Sequence, residues 1–161
     1  LVPAVLSFGK FIANGSVNVI PDEVLLEGTF RTVDETQRKE AHDHMRQLAT
    51  GMAESMGATC EFDIRMGYPV LINAEALTNS IKNIAADYMG AENIEEVDLW
   101  MAAEDFSYYS QATDACFYLL GVAKDDEMKR SLHSPFFDIN ESALEAGAGL
   151  MAYIALKQLG N

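Results

Sequence analysis

The chain has 161 residues, of which 49% are apolar, and a formal net charge of −14. That length allows one ordinary domain or two small ones with a real core. The acidity argues against nucleic-acid phosphate and anionic membrane surfaces as partners, since both attract Lys and Arg, and no apolar run reaches the roughly 18 residues of a membrane span.

Residues 4–13 read as a strand, with Leu6 and Phe8 on one face. Asn14-Gly15-Ser16 is a turn signal. Pro21 lacks a backbone donor and holds Ile20 extended, so 18–22 reads as an ordered loop or strand edge. Residues 24–32 alternate cleanly: Val24, Leu26, Gly28 and Phe30 point one way, and Leu25, Glu27, Thr29 and Arg31 the other. That predicts a half-buried antiparallel strand with Arg31 on its wetter face.

Asp34 reads as an N-cap with Gln37 in the capping-box position. The helix that follows, 35–56, carries Ala41, Met45, Leu48, Met52 and Met56 as its apolar stripe, and Gly57 stops it. Cys60, Phe62, Ile64 and Met66 alternate with Glu61, Asp63 and Arg65, which predicts another strand. Residues 1–66 thus read β-β-α-β, the later part of a ferredoxin-like sandwich.

Gly67-Tyr68-Pro69 is the hinge, and composition changes after it. Asn73 reads as the cap of a helix with Leu77, Ile81, Ile84, Ala85 and Tyr88 on one stripe, ended by Gly90. Residues 97–100 read as a short strand, and 116–122, apolar throughout, as a strand buried on both faces of an α/β sheet. A loop over 124–137 follows. Asn140 caps a last helix, 141–159, whose apolar residues cover enough of its circumference to predict burial against a sheet.

Cys60 and Cys116 lie in apolar runs without a CxxC pair, which reads as small buried hydrophobes in a reducing, cytoplasmic setting. The first residues carry no basic-then-apolar leader pattern. Leu1 is not a start methionine, and 1–11 reads as the middle of a strand, which predicts an upstream part outside this sequence.

His133 sits between an apolar run and a stiff Ser134-Pro135 step, where a neutral imidazole could serve as a zinc-type ligand. A structural or surface role is the plainer alternative, since one histidine is not a site. His42 and His44 lie two apart on a helix, roughly 200° around its axis, and cannot grip one ion together; they read as solvated. Glu104 and Asp105 are adjacent acids at a strand-to-helix turn. They suit the helix macrodipole or, alternatively, contact with a substrate or with metal ligands. Arg31 suits either a solvated face or a bidentate grip on a substrate carboxylate.

Five segments then recur in a telling order: 18–22 NVIPD, 26–32 LEGTFRT, 67–69 GYP, 101–106 MAAEDF and 133–138 HSPFFD. The series resembles the metal-dependent aminoacylase/carboxypeptidase family, in its hippurate hydrolase and N-acyl-amino-acid amidohydrolase branch. The resemblance covers essentially the whole chain. It implies an α/β fold in two parts: residues 1–68 as the later part of an α+β lid and dimerisation domain, and 69–161 as the C-terminal part of a zinc-peptidase-like α/β catalytic domain.

His133 matches the family's last metal ligand. Arg31 and Asn18 match substrate-contacting lid positions, Arg31 as the carboxylate anchor, and Glu104 and Asp105 match a loop lining the site. The implied cofactor is a divalent metal, two zinc ions with manganese or cobalt as alternatives. The implied reaction is attack of a metal-held water on the amide of an N-acyl amino acid or peptide, with a glutamate moving the proton.

A homodimer through the lid is implied as well. No catalytic residue lies in this chain; the general base and the remaining ligands are expected upstream, so the chain alone is expected to be inactive. Ala102 replaces the family's usual glycine and stiffens that turn. The rival readings are a non-catalytic dimerisation or binding module, and a dipeptidase or carboxypeptidase of the same family.

Overall fold

The computed structural model describes residues 2–123 and 132–160. The chain forms two compact units. The first comprises Leu1–Val70 and Leu99–Asp105, and the second Leu71–Asp98 and Phe106–Asn161. Leu99–Asp105 therefore belongs to the first unit although its sequence neighbours on both sides belong to the second.

In the first unit, β1 (Ala4–Ile12) and β2 (Leu25–Thr32) pair antiparallel, from Ala4 opposite Thr32 to Ile12 opposite Leu25. The register slips between Phe8 and Lys10, so Gly9 is the extra residue of a β-bulge. Gly28 faces Phe8 across the ladder, and a Cβ there would run into the Ser7 carbonyl oxygen. Only glycine permits that approach. Beyond the bulge Lys10 pairs with Glu27 at 3.0 Å.

The helix α1 (Glu35–Ser55) starts as the sequence predicts: Asp34 is the N-cap, and its carboxylate accepts from the Gln37 N–H at 2.7 Å. The reciprocal half of the capping box is not made. The Gln37 side chain bonds the Thr32 hydroxyl and the Val2 carbonyl instead. Gly57, at φ 75°, takes the left-handed turn past the helix end, as a glycine there should.

Two expectations for α1 are corrected. Leu48, Met52 and Met56 are exposed, whereas Ala41, Met45, Ala49 and Ala53 form the half-buried stripe. His42 is half-buried with its ring edge-on to Phe30, 6.3 Å between centroids, rather than solvated. Arg38 joins the same face to the hinge: it pairs with Glu35 and donates to the Tyr68 carbonyl, while Glu35 accepts from the Val70 N–H.

The strand expected over 60–66 is not formed. Cys60, Phe62 and Ile64 are half-buried and Glu61, Asp63 and Arg65 exposed, so the alternation is real. Alternation sets which way side chains point, but a strand also needs a hydrogen-bonded neighbour. The segment is held to α1 instead: Arg46 donates to the Phe62 carbonyl at 2.7 Å and lies over the Phe62 ring.

In the second unit, α2 (Glu75–Met89) packs on α4 (Ser142–Leu159), with α3 (Ser107–Ala112) between them in sequence. Ala85, Leu150 and Ile154 form the buried core, with Ile81, Ile84, Met89, Ile94 and Tyr118 packed around it. Gly149 lies under the Tyr88 hydroxyl and Gly147 against Leu120, so small residues let the helices approach closely.

The cap assigned to Asn73 is also corrected. Ala74 is the N-cap of α2, without a side-chain bond. The Asn73 amide instead clasps the Phe117 backbone at 2.8 Å in both directions, and the Ala74 N–H donates to the Ala115 carbonyl. This amide takes the place of a strand neighbour, so 116–122 is tethered without becoming a strand. Nor is that run buried on both faces, because Leu119 is 49% exposed. The 97–100 strand is absent too, with Val97, Leu99 and Trp100 exposed.

The cap assigned to Asn140 moves one residue on: Glu141 is the N-cap of α4, without a side-chain bond, while the Asn140 side chain accepts from the Ser142 N–H and hydroxyl. The helix buries only a narrow stripe on α2, however, leaving Leu144, Met151, Leu156 and Leu159 exposed. Among the described residues the hairpin is the only sheet. Cys60 and Cys116 are free and half-buried rather than fully enclosed. Of the loop expected over 124–137, residues 124–131 lie outside the described residues.

Candidate active site

Asn18 sits in the connection between β1 and β2. Ser16 and Val19 bond each other at 3.0 and 3.1 Å, which pinches Val17 and Asn18 into an exposed two-residue turn. Arg31 lies near the end of β2, opposite Val5, and is exposed.

The Arg31 guanidinium has a partner the sequence does not announce. Nη1 donates to the Met101 carbonyl oxygen at 2.8 Å, across 70 residues of sequence. Met101 opens the acidic segment, which belongs to the same unit. Arg31, Met101, Glu104 and Asp105 are thus brought into one unit by the fold. Glu104 is half-buried, whereas Asp105 is exposed in the turn that leads to α3. One planar fork edge of Arg31, Nε with Nη2, is left over by the Nη1 bond and has the geometry to take a carboxylate in two parallel bonds.

Ser107 follows directly in the second unit. It is fully buried, and its hydroxyl has no hydrogen-bond partner among the described residues. Only its position next to MAAEDF could have singled it out. Tyr118, also in the second unit, has its hydroxyl pKa pushed up by burial and secondarily by Cys116.

His133 belongs to the second unit and is exposed. It stands at φ 65°, the one non-glycine residue in the left-handed region among those described. Histidine is among the residue types enriched there. The following residues brace the turn: the Phe136 N–H donates to Ser134 Oγ at 3.2 Å and the Phe137 N–H to the Ser134 carbonyl at 3.0 Å.

Among the described residues no three His, Cys, Asp or Glu side chains are grouped so as to hold a metal ion. A catalytic zinc needs about three protein ligands, and His133 is a single donor. The described residues therefore do not by themselves make up the two-metal centre that the resemblance implies.

Fold and site define an α/β chain that carries a strand-borne arginine tied to an acidic turn and, separately, a histidine in a strained loop. The chain belongs to peptidase family M20/M25/M40, whose family model matches residues 4–157. It is 35% identical to the IAA-amino acid hydrolase ILR1-like 4 of Arabidopsis thaliana, over 96% of this chain and 36% of that protein. It is 31% identical to thermostable carboxypeptidase 2 of Saccharolobus solfataricus, over 96% and 39%. N-acetyldiaminopimelate deacetylase of Enterococcus faecalis is also 31% identical, over 100% and 41%.

Among solved structures, the Bacillus subtilis YXEP protein, described as a dinuclear metal binding peptidase from the M20 family, superposes with a TM-score of 0.77 at 29% identity. That match covers 98% of this chain and 42% of YXEP. The chain spans roughly two fifths of the length of the curated relatives it matches, from 36% to 41% in these three.

Proposed function

We propose that this chain is part of a metal-dependent amidohydrolase that cleaves the amide bond of N-acyl amino acids, with hippurate-like compounds as substrates. The observation that carries the reading is membership of the M20/M25/M40 family across residues 4–157. The roles are those the family resemblance implies for these positions. Arg31 grips the substrate carboxylate through its Nε–Nη2 edge, Asn18 and the Glu104–Asp105 turn contact the substrate, and His133 donates one bond to a metal.

The cofactor would be a pair of divalent ions, zinc first. The other ligands and the general base would come from polypeptide beyond these 161 residues. By itself this chain is then expected to bind metal weakly and to be inactive.

The same reading takes the enzyme as a cytoplasmic homodimer that joins through residues 1–68. The edges of the two-stranded sheet, unpaired among the described residues, and the exposed Leu48 and Met52 on α1 support residues 1–68 as an interface. No described helix is long and apolar enough to cross a membrane. The second reading, a carboxypeptidase or dipeptidase, is favoured by the likeness to thermostable carboxypeptidase 2.

The test is release of amino acid from hippurate, other N-acyl amino acids and dipeptides by the full-length protein, supplied with zinc, manganese or cobalt. His133→Ala should abolish turnover while the oligomeric state is kept. Full turnover by His133→Ala would refute the assignment of His133, and no hydrolysis of any of these amides by the wild type would refute the reading as a whole.

A further inference from the structure

We propose that Arg31 is a positioning residue for the acidic segment Leu99–Asp105, a role separate from gripping a carboxylate. The inference rests on the reading above, in which that segment lines the substrate site. Its ground is the bond from Arg31 Nη1 to the Met101 carbonyl. Leu99–Asp105 contains no helix or strand. Its sequence neighbours on both sides belong to the other unit, yet it groups with the unit that contains β2. A segment without a ladder or helical bonds of its own is held by side chains or not at all. Arg31 stands on a strand, and rigid elements position groups better than loops do.

The division of labour follows from the guanidinium. It has five N–H donors in a fixed fork, and one of them on Met101 leaves a two-donor edge for the substrate. When substrate is bound, one planar group would then touch both the carboxylate and the carbonyl that begins the acidic turn. A lysine at this position could supply the single donor the carbonyl needs, but not the bidentate grip.

Hydrogen exchange in the full-length protein without substrate tests this. Arg31→Ala should speed amide exchange across 99–105 by roughly five- to thirtyfold, the factor that one or two kcal/mol represents. Exchange in β1 and β2 should stay at wild-type rates. Arg31→Lys should restore most of the protection in 99–105. Unchanged exchange in 99–105 with Arg31→Ala would overturn the proposal. So would a loosening spread equally over β1 and β2, which would assign Arg31 to the hairpin itself.

Kinetics give an independent readout on a pair of substrates, an N-acyl amino acid and its carboxamide. A positioning role predicts that Arg31→Ala lowers kcat on both by about ten- to a hundredfold, as a misplaced site does. Arg31→Lys should recover kcat and still lose the preference for the carboxylate, seen as a raised KM. Loss confined to the carboxylate substrate, with kcat on the carboxamide unchanged, would overturn the positioning role. The exchange arm needs no turnover, so a failure of the amidohydrolase reading is distinguishable from a failure of this one.

Discussion

Replacing Gly28 by alanine should destabilise the β1–β2 hairpin by about 1–3 kcal/mol, the range for forcing an extra methyl group into a site without room. The added Cβ would overlap the Ser7 carbonyl oxygen and stand 2.9 Å from Phe8 Cδ1. Carbon contacts are comfortable at about 3.5–4.0 Å, so the facing strand has to retreat by roughly an ångström. A retreat of that size costs ladder hydrogen bonds beside the bulge, each worth about 0.5–1.5 kcal/mol. Alanine in a strand offsets this by about 0.5–1 kcal/mol, because glycine loses more backbone freedom on folding.

The clash is with backbone, which cannot swing aside as a side-chain tip could, so the loss should dominate. A loss of 2 kcal/mol corresponds to a fall in Tm of about 4–8 °C for a protein of this size. Thermal unfolding followed by circular dichroism, with exchange rates of the β1 and β2 amides, measures both the total and its location. A Gly28→Ala variant as stable as the wild type, or more so, would show that only the entropy term acts and that the close approach at Ser7 is wrong.

Asp34→Ala removes the side chain that accepts from the Gln37 N–H and should cost about 1 kcal/mol, with fraying confined to the first turn of α1; no change in the melt would refute the cap. Asn73→Ala leaves the Phe117 N–H and carbonyl without their partners in a half-buried place. It should cost about 1–3 kcal/mol and raise exchange at Phe117, whereas a cap role would loosen the first turn of α2 instead. Glu96 has its pKa lowered by its hydrogen bond to Lys82 and by that residue's charge. Its folded value lies below its unfolded one, so the pair's stabilising contribution is present above about pH 4.3 and is lost as pH falls through the folded value. In an NMR titration Lys82→Met should move the Glu96 midpoint upward, and added salt should shrink the difference; identical midpoints would refute the pairing.

What could be read from the sequence was mostly local. Asp34, Gly57 and Gly90 mark helix ends because caps and left-handed turns involve residues within a few positions of one another. That 4–12 and 25–32 each form a strand was legible as well, since alternation shows within the run itself. What could not be read was who stands beside whom at long range. Residues 60–66 alternate as a strand does, but Arg46 holds them instead of a neighbouring strand. Asn73 is chemically suited to a cap, and nothing local reveals that Phe117, 44 residues away, takes its amide. On α1 bulk does not mark burial: the smaller Ala49 and Ala53 are half-buried while Leu48 and Met52 are exposed. At the candidate site, Arg31, Asn18, Glu104, Asp105 and His133 stood out by their motifs. The bond from Arg31 to a backbone carbonyl carries no side-chain signature and was invisible.

The extra residue at Gly9 has a consequence for how this hairpin tolerates change in length. Gly9 alone has no partner in the ladder, so its removal keeps Phe8 across from Gly28 and Lys10 across from Glu27 and leaves a regular ladder. What is lost is the local bend and added twist of the bulge, not the facing of the residues beyond it. A single-codon deletion at this point should therefore be tolerated better than one in β2, where a paired residue goes and the side chains beyond it change face.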